Sequence, residues 1–455
     1  MHRPAPRAGI VAAPPDASPR SPSLVKTHVE ESLGANPAEA AIDPADSVAM
    51  GMPRWRAQGR GRVFRALAHR EYRLLFLAFA INQTGFWVSH LSLQGLTVEL
   101  SHNDPLAIGF VFFALFLPAF VLAPLAGVAA DRFDRKRIVV TCYAAVAAIA
   151  MALSALTATH AIDRGWLFGL SFLLGTAFAF SGPANMAIAA NSVPAADLGS
   201  AVSLQSALNN LTRVVGPMLA GPVLAARRFE LAFAAYAVAA MLAGALLAST
   251  RIARHEPADE TLGIFARIAS GYAHARERKP AMLALATVAV LSLVGVSHVA
   301  LLSVYAQDRL GDIAWFPTIL VATGSGALVG ALASGSREAT LRGGALRIVA
   351  YGALLGVFAL TQRPWVALGA QALVGYCYFS VMTELQTLIQ QAVDESQRGR
   401  VMSLFQVAWA GLLPFGSLGM GAVAGAFGVT AALLGSGALC AGYGLFVAFR
   451  TRAVS

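Results

Sequence analysis

The chain has 455 residues, 57% of them hydrophobic and only 13% charged, with a net charge of +10 and a mean hydropathy of +0.62. So apolar a composition over this length excludes an ordinary water-soluble globular protein. Cys142, Cys377 and Cys440 lie inside apolar runs with no CxxC spacing, so they point to neither a disulfide framework nor a metal site.

In chain order, residues 1–70 are rich in Pro, Ala and Arg and lack helical periodicity. They read as a disordered cytoplasmic extension. No apolar signal-peptide core precedes residue 74, so the first span is expected to direct insertion. Twelve apolar segments follow, at 74–98, 106–130, 138–160, 165–190, 200–225, 229–250, 281–305, 314–336, 344–362, 365–391, 399–425 and 429–449. Each approaches or exceeds the roughly 20 residues a bilayer-crossing helix needs. Lipid offers the backbone no hydrogen bonds, so these segments are expected to be helices, in an all-α membrane protein. The segments at 200–225 and 399–425 are the least oily; they carry Asn209, Asn210, Arg213 and Gln406.

Charge sets the expected orientation. With the N-terminus inside, the inner side from Arg54 onward holds twenty-four Lys and Arg, and the opposite side holds five, namely Arg164, Arg227, Arg228, Arg309 and Arg363. That bias is a positive-inside signal with both termini cytoplasmic. The net positive charge therefore reads as topology, and no nucleic-acid partner is expected.

The longest polar break, 251–280, separates six spans from six. It divides the chain into an N-terminal bundle at 71–250, a cytoplasmic linker and a C-terminal bundle at 281–450. At an offset of 200 residues the two halves match at Val193/Val393, Gly199/Gly399, Ser203/Ser403, Leu204/Leu404, Gly216/Gly416, Gly221/Gly421 and Val223/Val423. Both stretches join the fourth span of a half to its fifth, as parallel repeats of a transporter would.

Between the second and third spans stands GVAADRFDRKR, residues 127–137, in which six of the last seven residues are charged. With twelve spans and a 6+6 division, this loop resembles the major facilitator superfamily, whose signature there is roughly G-x-x-x-D-R-x-G-R-[RK]. Gly127, Asp131, Arg132, Arg135 and Lys136 supply it, and Asp134 replaces the second glycine. The likeness covers about 70–450. It implies the major facilitator fold of two six-helix bundles and a gating loop. In that role Gly127 permits close helix approach, Asp131 faces the start of the eleventh helix near Gly399, where a carboxylate is favourable, and Arg135 pairs with Asp131 or the other bundle. The competing reading is that the basic residues only obey the positive-inside rule. The equivalent stretch of the second half, 330–344, has no Asp-Arg pair.

RVVGPMLAGP, residues 213–222, places Gly216-Pro217 and Gly221-Pro222 in the fifth span, where they should bend the helix and allow close packing. It resembles the superfamily's antiporter motif, with Ala220 in place of one glycine. The wider stretch 181–221, through Pro183, SVPAADLGSA, Asn210, Arg213 and Gly216-Pro217, resembles the enterobactin-exporter-like, or transmembrane secretion effector, branch, and so does Asp134 in the loop. Export of a siderophore or drug is what this likeness implies.

Ionisable groups inside spans are costly and tend to be functional. Arg213 lies about 13 residues into the fifth span, near the midplane, with Asn209 and Asn210 a turn earlier. An arginine there suits an anionic substrate or a carboxylate partner; a structural arginine bonded to helix carbonyls is the alternative. Glu384 is the acid well inside a span, roughly 10 Å from the cytoplasmic end of the tenth. It is the leading candidate for coupling to a proton gradient, against a paired, structural Glu near the gate. His90 and His298, in the first and seventh spans, are further proton candidates, although a lone membrane histidine is more often a satisfied packing residue. Asn82, Gln83, Gln94 and Gln371 are candidates to line a polar cavity, and Phe86, Trp87 and Phe110 for aromatic walls. The small-residue pairs Gly326/Gly330 and Gly421/Gly425 mark close-packing faces, which the resemblance places where the two halves slide together.

No HExxH, G-x-S-x-G elbow, P-loop or His/Cys cluster is present, so no enzyme, ATP-driven cycle, metal or cofactor is expected. The expected function is a secondary active exporter working by alternating access, proton-coupled, for a small amphiphilic or anionic molecule. An importer or lipid flippase of the same fold and a non-transporting sensor are the alternatives. Its expected partners are that substrate and the bilayer of a bacterial inner membrane, with the chain a monomer.

Overall fold

The computed structural model describes residues 64–251, 264–334 and 339–452. Most of the expected N-terminal extension, the first part of the linker and the tip of the 330–344 stretch therefore lie outside the described residues. Among those described, every regular element is helical. Ten helices among the described residues are long and apolar enough to cross a membrane.

Two of the twelve expected spans depart from that standard. The fifth, Leu198–Ala225, has the length but too many polar residues. The second is broken at Leu122 into Pro105–Val121 and Ala123–Arg132. Pro124 has no N–H to continue the ladder, which accounts for the break.

Two more spans are irregular inside. The seventh runs as Lys279–Val290, a wide π turn over Leu291–Gly295, a tight 3-10 stretch over Val296–Leu301, and Leu302–Leu310. Carbonyls at the break find hydroxyl partners: Ser297 Oγ donates to Ser292 O at 2.7 Å, and Ser436 Oγ to Val294 O at 2.6 Å. That substitution is what allows a non-α turn at this depth. The eleventh span, Glu395–Gln406 and Leu413–Phe427, widens to a π turn at Val407–Gly411, just ahead of Pro414.

The remaining spans are Arg70–Leu100 (first), Arg135–Ala158 (third), Arg164–Asn191 (fourth), Phe229–Ala248 (sixth), Trp315–Ser334 (eighth), Leu341–Leu360 (ninth), Pro364–Ala392 (tenth) and Val429–Arg452 (twelfth). Several span starts carry side-chain caps. Asp104 accepts from Leu106 N beside Pro105, Asp163 from Trp166 N, and Thr340 from Gly343 N. Each satisfies one of the donors a helix start leaves open.

Packing repeats between the halves. The second span lies against the fourth and the third against the sixth; likewise the eighth lies against the tenth and the ninth against the twelfth. The halves meet through the second span on the eleventh and the fifth on the eighth. These two contacts exchange when the halves are superposed, as a parallel repeat requires. A further helix, Ile264–Glu277, lies in the linker and packs on the start of the eleventh span, with Arg278 Nη2 2.7 Å from Asp394 Oδ1.

The two ends of the bundle differ. At one end Asn103 donates across to Asp308. A Cβ at Gly109 would lie 2.7 Å from Ser417 O and 3.2 Å from Gly421 Cα, so the halves touch backbone to backbone. At the other end, which bears the 127–137 loop, nothing among the described residues lies within 4 Å of a Cβ placed on Gly127. The expected close approach at Gly127 is thus absent among the described residues in this conformation; the end of the second span packs on the fourth span of its own half instead.

Candidate functional site

Arg213 projects from the fifth span toward the other half, its guanidinium carbon 5.2 Å from the Phe379 ring centroid on the tenth span. The contact is a cation–π interaction. Among the described residues Arg213 has no carboxylate partner and no hydrogen bond to a helix carbonyl. Next to Phe379, Tyr378 accepts from Trp409 Nε1 at 2.9 Å, and Trp409 sits in the π turn of the eleventh span. One cation and an aromatic wall from three spans therefore meet where the halves join. Asn209 lies one turn before Arg213, and Gln205 one turn before that, so the three fall on one helix face. Asn210 falls off this stripe and donates to Ser206 O at 3.0 Å, a bond within its own helix.

Glu384 is 1% exposed and its Oε1 lies 2.7 Å from Arg347 Nη2 and 2.8 Å from Nη1. Counted by sequence, Arg347 is a cytoplasmic loop charge. It sits six residues inside the ninth span, about 9 Å along its axis, at a depth that meets Glu384. The geometry is thus an ion pair between two helices of one bundle.

His90 is packed in an aromatic cage: Phe86 stacks on it at 5.6 Å, with Phe112 and Phe116 edge-on at 5.1 and 5.9 Å. Its Nε2 accepts from Gln94 Nε2 at 3.1 Å. His298 sits in the broken part of the seventh span. Its Nδ1 is 2.8 Å from Gly295 O and 3.1 Å from the Tyr351 hydroxyl, and its Nε2 is buried without a partner among the described residues. Asn82 and Gln83 line a narrow crevice inside the N-terminal half, together with Phe86, Tyr143, Phe178, Ser181 and Tyr236.

Around the loop, the side chain of Asp131 lies outside the described residues. Arg132 ends its helix and is exposed. Arg135 Nε donates to Ala130 O at 2.9 Å. Lys136 Nζ donates to Ala248 O and Thr250 O at 2.8 and 2.6 Å, tying the loop to the end of the sixth span. Asp134, the residue standing where the superfamily has glycine, caps the third span through Arg137 N at 3.2 Å.

In the fifth span the helix runs unbroken through Pro217 and Pro222. A Cβ on Gly216 would overlap the Trp87 side chain of the first span, and one on Gly221 would sit 3.9 Å from Pro317 of the eighth. Gly421 does lie between the halves, against Pro105 O and Gly109. Gly326 and Gly330 do not: they face the backbone of Ala372 and Tyr376 on the tenth span of their own half. The expectation that both glycine pairs lie between the halves is corrected accordingly. Sequence reasoning also missed Tyr143–Asn185, Tyr378–Trp409 and Asn103–Asp308, since a pairing between distant helices leaves no local pattern to read.

An all-helical fold among the described residues, ten of its helices able to cross a membrane and packed in a pattern that repeats along the chain, fits a membrane transporter of the major facilitator type. Comparison with known proteins agrees and narrows the class: residues 62–454 match the transmembrane secretion effector family, to which the chain belongs. It is 26% identical over 397 residues to the uncharacterized MFS-type transporter YfiS of Bacillus subtilis (strain 168), covering 82% of this chain and 91% of that protein. It is 27% identical over 160 residues to the staphyloferrin A transporter of Staphylococcus aureus (strain NCTC 8325 / PS 47), covering 35% and 40%. Among solved structures, a mutant of the peptide transporter POT in complex with sulfate shares the fold with a TM-score of 0.70 at 16% identity, covering 85% of this chain and 95% of that one. An inward-facing bacterial homolog of the human lysosomal transporter Spinster does so at 0.65 and 13%, covering 84% and 95%.

Proposed function

We propose that this transporter is a proton-coupled exporter of a small amphiphilic anion, a siderophore or drug, from the bacterial cytoplasm across the inner membrane. The observation that carries the reading is Arg213: a guanidinium at the meeting of the halves, stacked on Phe379 and lacking an acidic partner among the described residues. A partly buried cation without a fixed counter-charge favours an anionic ligand. The staphyloferrin A transporter, similar over part of the chain, supports the siderophore class. Contact at the Asn103–Asp308 end and separation at the Gly127 end fit one state of an alternating-access cycle, open toward the basic face, which the positive-inside bias assigns to the cytoplasm. With Glu384 held by Arg347, proton exchange runs through that pair or through His298.

The test is transport by purified protein in liposomes, with a panel of carboxylate siderophores and anionic and cationic dyes. Arg213→Ala is expected to lower anion transport at least tenfold, and Arg213→Lys to retain part of it. Equal anion transport by wild type and Arg213→Ala would remove the anion reading.

A further inference from the structure

The contact between Arg213 and Phe379 crosses the join of the halves, since one residue stands on the fifth span and the other on the tenth. The backbone at Arg213 is held. A Cβ on Gly324 of the eighth span would lie 3.4 Å from Arg213 O and 3.2 Å from Val214 Cγ2, so the fifth and eighth spans cross closely there. The ring is held as well: Phe379 lies edge-on to Tyr378 at 5.3 Å, and Tyr378 accepts from Trp409 Nε1 at 2.9 Å. What is left to move is the long arginine side chain. Its guanidinium makes no hydrogen bond among the described residues, yet none of its nitrogens is sealed from solvent.

A cation over a benzene ring is held by the ring's quadrupole, a weak attraction where water reaches the pair. A carboxylate binds a guanidinium more strongly, through charge-assisted and often paired hydrogen bonds. Those bonds would use the nitrogens that the ring leaves open. The ring is therefore a partner that an anion can displace. A neutral molecule offers the guanidinium no such gain, and leaves the contact in place.

We infer that Phe379 is a placeholder for the anionic group of the substrate: its ring holds Arg213 while the site is empty and gives it up when an anion binds. This rests on the reading of Arg213 as an anion anchor. It makes Phe379 a specificity-determining residue, because every ligand must outcompete its ring for the guanidinium. It also links occupancy to the join of the halves. The empty site carries a contact from one half to the other, and binding exchanges that contact for one with the ligand.

The test is binding of radiolabelled octanoate, an aliphatic anion with no ring of its own to stack, to the protein in lipid nanodiscs, with uptake by empty nanodiscs subtracted. Phe379→Leu is expected to tighten octanoate binding by about 2- to 5-fold, the worth of the cation–π contact no longer displaced. Mono-, di- and trifluorinated phenylalanine in place of Phe379, which drain the face of the ring while nearly keeping its shape, should tighten binding stepwise. This series also serves if the leucine variant does not fold. Octanol, the neutral counterpart, should bind alike to wild type and to every Phe379 variant; an equal gain for octanol would assign the effect to added space and overturn the placeholder. Unchanged or weaker octanoate binding across the Phe379 variants, with Arg213→Ala still abolishing it, overturns the placeholder and leaves the anion reading standing. If Arg213→Ala binds octanoate as well as wild type does, the anion reading falls and the placeholder with it. No saturable binding of octanoate at millimolar concentration overturns both.

Discussion

Between the third and fourth spans, Asn185 donates a neutral hydrogen bond to Tyr143 at 3.3 Å. At the corresponding junction of the other half, between the ninth and tenth, stands the Arg347–Glu384 ion pair at 2.7 Å. The helices around the two junctions pack in the same pattern. A repeat thus preserves which helices touch, because that is set by small residues and backbone shape, while the polar groups in the seams are free to diverge. Here the N-terminal half keeps an uncharged crevice and the C-terminal half keeps the buried charge. The same contrast holds between the first span, a regular helix at His90, and the seventh, broken at His298.

The comparison can be broken most forcefully at the ion pair. Glu384→Ala leaves Arg347 buried without its partner and is expected to lower stability by about 3–5 kcal/mol, read as a loss of the folded fraction in thermal unfolding of detergent-solubilised protein. Replacing both partners, Glu384→Leu with Arg347→Met, should recover most of that loss. If the single and double variants are equally unstable, the pair is not the source of the cost.

Next come the repeat-related glycines. Gly216 faces the Trp87 side chain, whereas Gly416 faces both the Ser297 hydroxyl and Leu293 O in the broken seventh span. Alanine at either is expected to cost about 1–3 kcal/mol through overpacking. Gly416→Ala should cost more, since a carbonyl fixed in a helix break yields less than a side chain. The reverse order in thermal unfolding would place the rigid contact in the wrong half.

Smaller effects are expected at the caps. Asp134 caps the third span and Thr340 the ninth, and alanine at each should cost about 1 kcal/mol. The least is expected at Asn185→Ala, about 0.6 kcal/mol, the usual worth of a hydrogen bond between membrane helices. A loss there as large as that of Glu384→Ala would erase the difference between the halves.

Much of the fold was legible because hydropathy and charge act over whole segments. The apolar runs coincide with helices to within about five residues, and among the described residues ten of these are long and apolar enough to cross a membrane. The breaks were less legible. Pro124 and Pro414 mark two of them, but nothing local distinguishes the Leu291–Gly295 turn, which depends on Ser436 from a span about 140 residues away. Among candidate site residues, Arg213 stood out by its type and depth. Arg347 did not, since a basic residue near a cytoplasmic boundary reads as topology until its partner is in view. Asp134 had the opposite history: an apparent departure from a motif that the third span uses as a cap.

The most direct measurement of the central claim uses inverted vesicles holding the protein, loaded acidic inside, with an anionic siderophore as the probe. Proton-coupled export predicts accumulation of the probe together with alkalinisation of the lumen, both lost when the gradient is collapsed with an ionophore. Accumulation that persists unchanged after the gradient is collapsed would contradict the account.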